Sequence, residues 1–232
     1  MNPIQQENTT AKLLDAALAH VPFEGWSEGT FKASVSDIGI DSEVARAACP
    51  RGAVDLALAF HEAGDHAMLE RLSATDMCAM KFREKIAAAV RFRLEAVPDK
   101  EVVRRGAALF SLPLYAGDGA KAIWGTSDKI WNALGDTSDD VNWYTKRATL
   151  SGVYSSTVLY WLGDESADHQ STWAFLDRRI ENVMQFEKFK AQVNSNPGLK
   201  RLLAGPLWAL GKVKAPGQAP DANLPGRWTT PR

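Results

Sequence analysis

The residues with the clearest chemical potential are His61-Glu62-Ala63-Gly64-Asp65-His66. Asp65 follows His61 by four positions and His66 follows Glu62 by four, so on a helix two pairs of metal-ligand side chains share adjacent faces. A di-iron bundle would need a Glu-x-x-His motif from each of two helices. None of the four histidines has a glutamate three residues before it. So incomplete a donor set reads as a solvated polar helix face, and no metal is expected. The chain also lacks HExxH, GxSxG and P-loop sequences, and Cys49 and Cys78 lie too far apart for a CxxC redox or zinc site. Gly117-Asp118-Gly119-Ala120-Lys121-Ala122 matches the loose dinucleotide fingerprint, but that fingerprint needs a preceding strand, and helical patterns flank it here. No catalytic residue and no cofactor is expected.

Two other stretches point to binding. In residues 135–147, GDTSDDVNWYTKR, Asp139 or Asp140 can cap a helix that starts near Val141, with Ser138 as an alternative cap. The acids also suit the positive end of the helix dipole. Capping leaves Trp143 and Tyr144 unexplained, because adjacent helical residues point about 100° apart and cannot be buried equally. Either one ring enters the core and the other stays half-exposed, or Asp140, Trp143, Tyr144 and Arg147 form a partner-binding patch of the residue types enriched at hot spots. The second stretch is 197–213. On a helical wheel Leu199, Leu202, Leu203, Pro206, Leu207, Leu210 and Val213 form one stripe, with Arg201 and Lys212 opposite and Trp208 between them. Residues 188–214 hold six Lys or Arg and no acid. This is the profile of an interfacial helix, each base contributing about 1 kcal/mol at an anionic surface. A terminal helix docked on its own bundle would carry the same stripe. Pro206 predicts a kink.

Helices must position these residues. The chain has 232 residues, 45% of them hydrophobic, enough for a real core and too many for wholesale disorder. Apolar spacing of period 3.6 recurs throughout and period-2 runs are absent, so the expected class is all-α. The spacing predicts helices at about 9–19, 30–38, 42–48, 53–72, 75–96, 100–112, 114–134, 141–162, 172–190 and 197–213. A turn-rich joint is expected at 23–29, and a Pro/Gly-rich disordered tail at 215–232. Gly39 breaks the second helix, and Asp41 or Ser42 caps the third. Three short helices before a bundle of long ones is the order of a helix-turn-helix repressor. Residues 148–163 are apolar or small on every side, which predicts a helix central to the bundle or wrapped around something apolar.

Charge sharpens this. The net charge is −1, yet residues 1–60 carry −4, residues 61–187 carry −4 and residues 188–232 carry +7. DNA binding depends on Lys and Arg at phosphates, but the second short helix offers Arg46 alone beside Asp41 and Glu43, with no Asn or Gln to read adenine. No nucleic-acid partner is expected. The longest uncharged run, 148–163, is 16 residues, short of the roughly 20 that span a bilayer. A polar opening with no secretory or transit pattern, together with two cysteines, predicts a reducing, cytoplasmic setting.

The run 139–187, DDVNWYTKRATLSGVYSSTVLYWLGDESADHQSTWAFLDRRIENVMQFE, closely resembles the ubiquinone-biosynthesis Coq-nine family. DVNWYTKR and TWAFLDRRI are the specific motifs; the N-terminal half matches mainly in helix order. The resemblance implies a TetR-like helical bundle with a helix-turn-helix-like region at 1–52, a lipid-binding bundle at 53–190, an amphipathic membrane-binding helix at 191–214 and a tail at 215–232. It implies a non-enzymatic accessory protein that binds an isoprenoid lipid or quinone precursor and associates with the di-iron demethoxyubiquinone hydroxylase. A homodimer is expected, peripheral on the inner face of the cell membrane as in an alphaproteobacterial-type member. Carried over by position, Asp140, Trp143, Tyr144 and Arg147 would face the hydroxylase. Leu199, Leu202, Leu203, Leu207, Trp208 and Leu210 would enter the membrane, although Pro206 and glycines 198, 205 and 211 make that helix less regular than the family's. For the pocket, the long helices offer Leu109, Leu112, Trp124, Leu150, Tyr154 and Trp161. A TetR-type repressor sensing an apolar ligand is the competing reading.

Overall fold

The structure is a computed structural model and describes residues 3–195. Among them every regular element is helical: α1 (Pro3–Glu24), α2 (Glu28–Ile38), α3 (Ser42–Ala48), α4 (Ala53–Ala74), α5 (Phe82–Glu95), α6 (Lys100–Phe110), α7 (Ala116–Ala133), α8 (Val141–Leu162) and α9 (Gln170–Ser195). A 3-10 turn, Ala167–His169, precedes α9. The expected helix at 197–213 and the expected tail at 215–232 lie outside the described residues.

The capping chemistry sets several boundaries where the residues predict them. Gly39 ends α2 in the left-handed region at φ 64°, and Asp41 opens α3 by accepting from the Glu43 amide at 2.7 Å. Of the three possible caps for α8, Asp140 serves, accepting from the Asn142 amide at 2.8 Å.

Elsewhere tertiary packing overrides the local pattern. α1 is twice the expected length, because Leu13, Ala17 and Val21 bury one continuous stripe and carry the helix through Pro22. The Pro22 carbonyl accepts from Arg105 Nη2 at 3.0 Å. The expected helix at 75–96 starts only at Phe82. Thr75 Oγ1 donates back to the Arg71 carbonyl at 2.7 Å and Asp76 accepts from the Cys78 amide at 2.9 Å, so side chains hold 75–81 in turns instead.

Two apolar cores result. One gathers Leu13, Ala17, Val21, Trp26, Phe31, Leu56 and Val102 from the N-terminal helices and α6. The other gathers Met68, Leu72, Val90, Leu94, Ile130, Leu150, Tyr154, Trp161 and Leu176. α4 runs through both. α8 is central on one face only: Leu150, Val153, Tyr154, Thr157 and Trp161 are buried, while Leu159 is 66% exposed and Tyr160 39%. The uniformly apolar sequence of α8 therefore covers a packed face and an open one.

Candidate functional site

Where the two cores meet they leave a cavity of about 410 Å³. Its wall takes Trp26 from before α2; Ala57, Phe60 and His61 from α4; Arg93 and Leu94 from α5; Val102, Val103, Gly106, Ala107 and Phe110 from α6; Gly119, Ala120 and Ile123 from α7; and Tyr154, Val158 and Leu159 from α8. Small residues at 57, 106, 107 and 120 leave the space open. Gly119 lets α7 approach α6, since a Cβ there would meet the Phe110 Cβ at 2.7 Å.

Behind this apolar wall lies a buried charge network. Asp65 is 0% exposed and accepts from Arg93 Nε at 2.7 Å, Thr126 Oγ1 at 2.9 Å and Lys129 Nζ at 3.0 Å. Lys129 also donates to Glu62 at 2.6 Å, and Arg93 Nη2 donates to the His61 carbonyl at 2.9 Å. His61 Nε2 lies 2.7 Å from Thr126 Oγ1 and 3.2 Å from the Ala122 carbonyl. Burial, and then the Arg93 charge, push the His61 pKa down to about 4, so the ring is neutral at ordinary pH. The expectation of a solvated polar face is thus corrected: Glu62 and His66 are exposed, but Asp65 is fully buried and His61 packs against α7. Three donors from α5 and α7 satisfy the Asp65 carboxylate and make its burial tolerable, and helical spacing alone does not reveal those partners. Among the described residues no group of three or more His, Cys, Asp and Glu could hold a metal ion.

Of the six residues singled out for a pocket, Tyr154 lines this cavity. Leu150 lines a second one of about 220 Å³ between α5, α8 and α9. Leu109 packs against the N-terminal core, Leu112 is 50% exposed, and Trp161 is buried in the second core beneath Lys100. Trp124 belongs to an aromatic cluster described next. Sequence reasoning missed His61, Arg93 and the α6 wall. α6 did carry a signal: it is strongly amphipathic, yet Val102 is its one fully buried residue, so the apolar stripe through Val103, Gly106, Ala107 and Phe110 faces the cavity.

The first turn of α8 forms the second feature. Trp143 and Tyr144 are both half-buried, neither entering the core, because Trp124 of α7 reaches both. The ring centroids are 5.9 Å apart for Trp124–Trp143, 6.5 Å for Trp124–Tyr144 and 4.8 Å for Trp143–Tyr144. Arg147 does not lie on the outer surface. It is 1% exposed, donating to Asp128 at 2.5 Å and Asp136 at 2.9 Å, with Cζ 4.0 Å from the centre of the Trp143 ring. Asp140 is exposed and spends its carboxylate on the cap.

A COQ9 family profile matches residues 116–187, which span α7, α8 and most of α9. The chain is similar to the mitochondrial ubiquinone biosynthesis protein COQ9-B of Xenopus laevis, 30% identical over 201 residues that cover 82% of this chain and 67% of that protein. It is 33% identical over 187 residues to COQ9 of Drosophila melanogaster, covering 78% of this chain and 57% of that protein. With COQ9 of Rattus norvegicus the identity is 30% over 198 residues, covering 82% and 63%. The chain thus spans about 57–67% of the length of these relatives. Among solved structures, a TetR transcriptional regulator from Nitrosomonas europaea superposes with a TM-score of 0.62 at 17% identity, over 75% of this chain and 97% of that one. The TetR-like helical bundle implied by the sequence is the fold observed.

Proposed function

The chain belongs to the COQ9 family, and on that premise we propose that it is a non-enzymatic, lipid-binding accessory protein of ubiquinone biosynthesis. It holds an isoprenoid quinone precursor in the cavity between α4, α6, α7 and α8 and presents it to the di-iron demethoxyubiquinone hydroxylase at a membrane surface. The observation that carries this reading is the cavity itself: about 410 Å³, apolar over most of its wall, at the junction of two cores. Each CH₂ of a prenyl tail buried there contributes roughly 0.8 kcal/mol, so a few isoprene units offset extraction from a bilayer.

The half-buried Trp143 and Tyr144 are the proposed contact for the hydroxylase, with Arg147 holding Trp143 from beneath and Asp140 fixing the start of the helix. Membrane attachment is assigned to Leu199, Leu202, Leu203, Leu207, Trp208 and Leu210, which lie outside the described residues, on the strength of their apolar stripe and basic flanks. Among the described residues no helix is long and apolar enough to cross a membrane, and the proposed attachment is peripheral, on the inner face of the cell membrane. The proposed assembly is a homodimer. Mass spectrometry of lipids extracted from the protein, purified from a ubiquinone-making host, tests the reading. An isoprenoid is expected; recovery of no isoprenoid and no other apolar lipid overturns it.

The likeness to a regulator keeps a repressor as the second reading. Against it, Arg46, the one base on α3, is held by Glu28 at 2.5 Å and lies 4.5 Å over the Phe31 ring. Salt-dependent binding to a promoter fragment is the result that favours the repressor.

A further inference from the structure

The cavity is apolar, but six of its lining side chains carry polar atoms: Trp26, His61, Arg93, Ser111, Tyr154 and Ser155. Most are already engaged. Trp26 Nε1 donates to the Val102 carbonyl at 3.2 Å, Ser111 donates to the Ala108 carbonyl at 2.7 Å, and Ser155 donates to the Ser151 carbonyl. Arg93 is anchored through Nε to Asp65 and Nη2 to the His61 carbonyl, while its Nη1, packed over Gly64, makes no hydrogen bond among the described residues.

The two neutral side chains that remain are His61 and Tyr154. Thr126 has one hydroxyl proton, and the ionised Asp65 at 2.9 Å takes it in preference to the Ala122 carbonyl at 3.2 Å. A Thr126 oxygen that donates to Asp65 must accept from His61, so the proton of the neutral ring sits on Nε2. Nδ1 is then a bare acceptor, with no hydrogen-bond partner among the described residues. Tyr154 is 4% exposed, and its hydroxyl also has no partner among the described residues. Burial raises its pKa, so it stays protonated despite the nearby Arg93 charge. Neither atom is sealed in the interior: the Tyr154 hydroxyl and His61 Nδ1 are accessible within the cavity they line and open to a ligand's polar atoms.

We propose that His61 and Tyr154 are the specificity-determining residues of the cavity, accepting and donating, respectively, one hydrogen bond to a hydroxylated aromatic head group. A ring hydroxyl of the ligand donates to His61 Nδ1, the Tyr154 hydroxyl donates to a ring oxygen, and the prenyl tail fills the apolar remainder. A fully oxidised quinone has oxygens for Tyr154 but no proton for His61, so the wall favours phenolic over quinone rings. This rests on the reading of the cavity as the lipid site.

The test uses the full chain and two probes that differ by one hydroxyl, 4-geranylphenol and geranylbenzene, with affinities measured by calorimetry. The wild type should bind the phenol roughly 5- to 30-fold more tightly, the worth of one to two net hydrogen bonds made by its single oxygen. That preference should shrink in His61→Leu and in Tyr154→Phe and vanish when both are replaced, with affinity for geranylbenzene retained. A readout that needs no substitution is the ¹⁵N spectrum of the labelled histidines. His61 should show an Nε2–H tautomer whose Nδ1 resonance moves on addition of geranylphenol and stays fixed with geranylbenzene. An Nδ1–H tautomer, or equal affinities with a silent Nδ1, overturns the assignment and leaves the lipid site standing. Binding of neither probe overturns the lipid site itself.

Discussion

The Arg93 guanidinium lies across Gly64 so closely that a Cβ there would sit 2.5 Å from Nη1 and 2.6 Å from Cζ. Glycine at this point of α4 is what lets the cation reach Asp65. Gly64→Ala should push Arg93 off its partner and lower stability by about 2 kcal/mol or more, since the buried carboxylate loses a charge-assisted bond. Gly125→Ala in α7, where nothing lies within 4 Å, should instead stabilise by about 0.5–1 kcal/mol. Urea unfolding of both variants reads the contrast, and equal midpoints would refute it.

Asp136 governs an acid-side dependence. Its burial alone would raise the pKa, but hydrogen bonds from Lys146, Ser138 and Arg147 outweigh that and bring it down to about 2. The folded value lies below the ordinary value of about 3.9, so ionised Asp136 stabilises fully above that pH, and the contribution fades as pH falls toward 2. Asp136→Asn should be less stable at pH 7 and should lose less between pH 4 and pH 2. Parallel urea titrations across that window check it.

Trp143 and Arg147 separate contact from folding. Trp143→Lys should abolish co-purification with the hydroxylase while circular dichroism and liposome binding stay unchanged. Arg147→Ala should also lose the hydroxylase, but through a fall in stability of about 3–5 kcal/mol, because Asp136 is left buried with a missing partner. Hydroxylase retained by the Trp143 variant would remove this turn from the interface.

Filling the cavity separates a carrier from a scaffold. Ala107→Phe places a ring in the space between α6 and α7. Co-purified lipid should fall at least tenfold with little change in melting temperature, and stimulation of the hydroxylase should fall with it. Undiminished stimulation by a lipid-free variant would assign the protein a scaffolding role alone.

Local chemistry made much of the fold legible. Asp140 and Gly163 bracket α8 at the residues the pattern predicts, and Gly39 with Asp41 does the same between α2 and α3. What the pattern could not carry was long-range satisfaction. The stripe of α1 runs on to Val21 and the last turn, where another helix supplies Arg105 for the Pro22 carbonyl, one of the helix-end carbonyls with no partner within α1. Arg147 looks like a surface hot spot in sequence, and only the approach of Asp128 on α7 and Asp136 beyond it shows why its charge is buried. His61 and Arg93 line the cavity through partners 28 to 65 positions away, a separation that no helical period reports.

Trp143 and Tyr154 sit on the same unbroken α8, eleven positions apart, which at 1.5 Å per residue is about 16 Å along the axis. A protein gripping the first turn and a molecule resting three turns further on would therefore bear on one stiff rod. Any tilt imposed at the gripping end is delivered directly to the wall of the cavity, so docking could loosen the cargo without a relay of intervening loops.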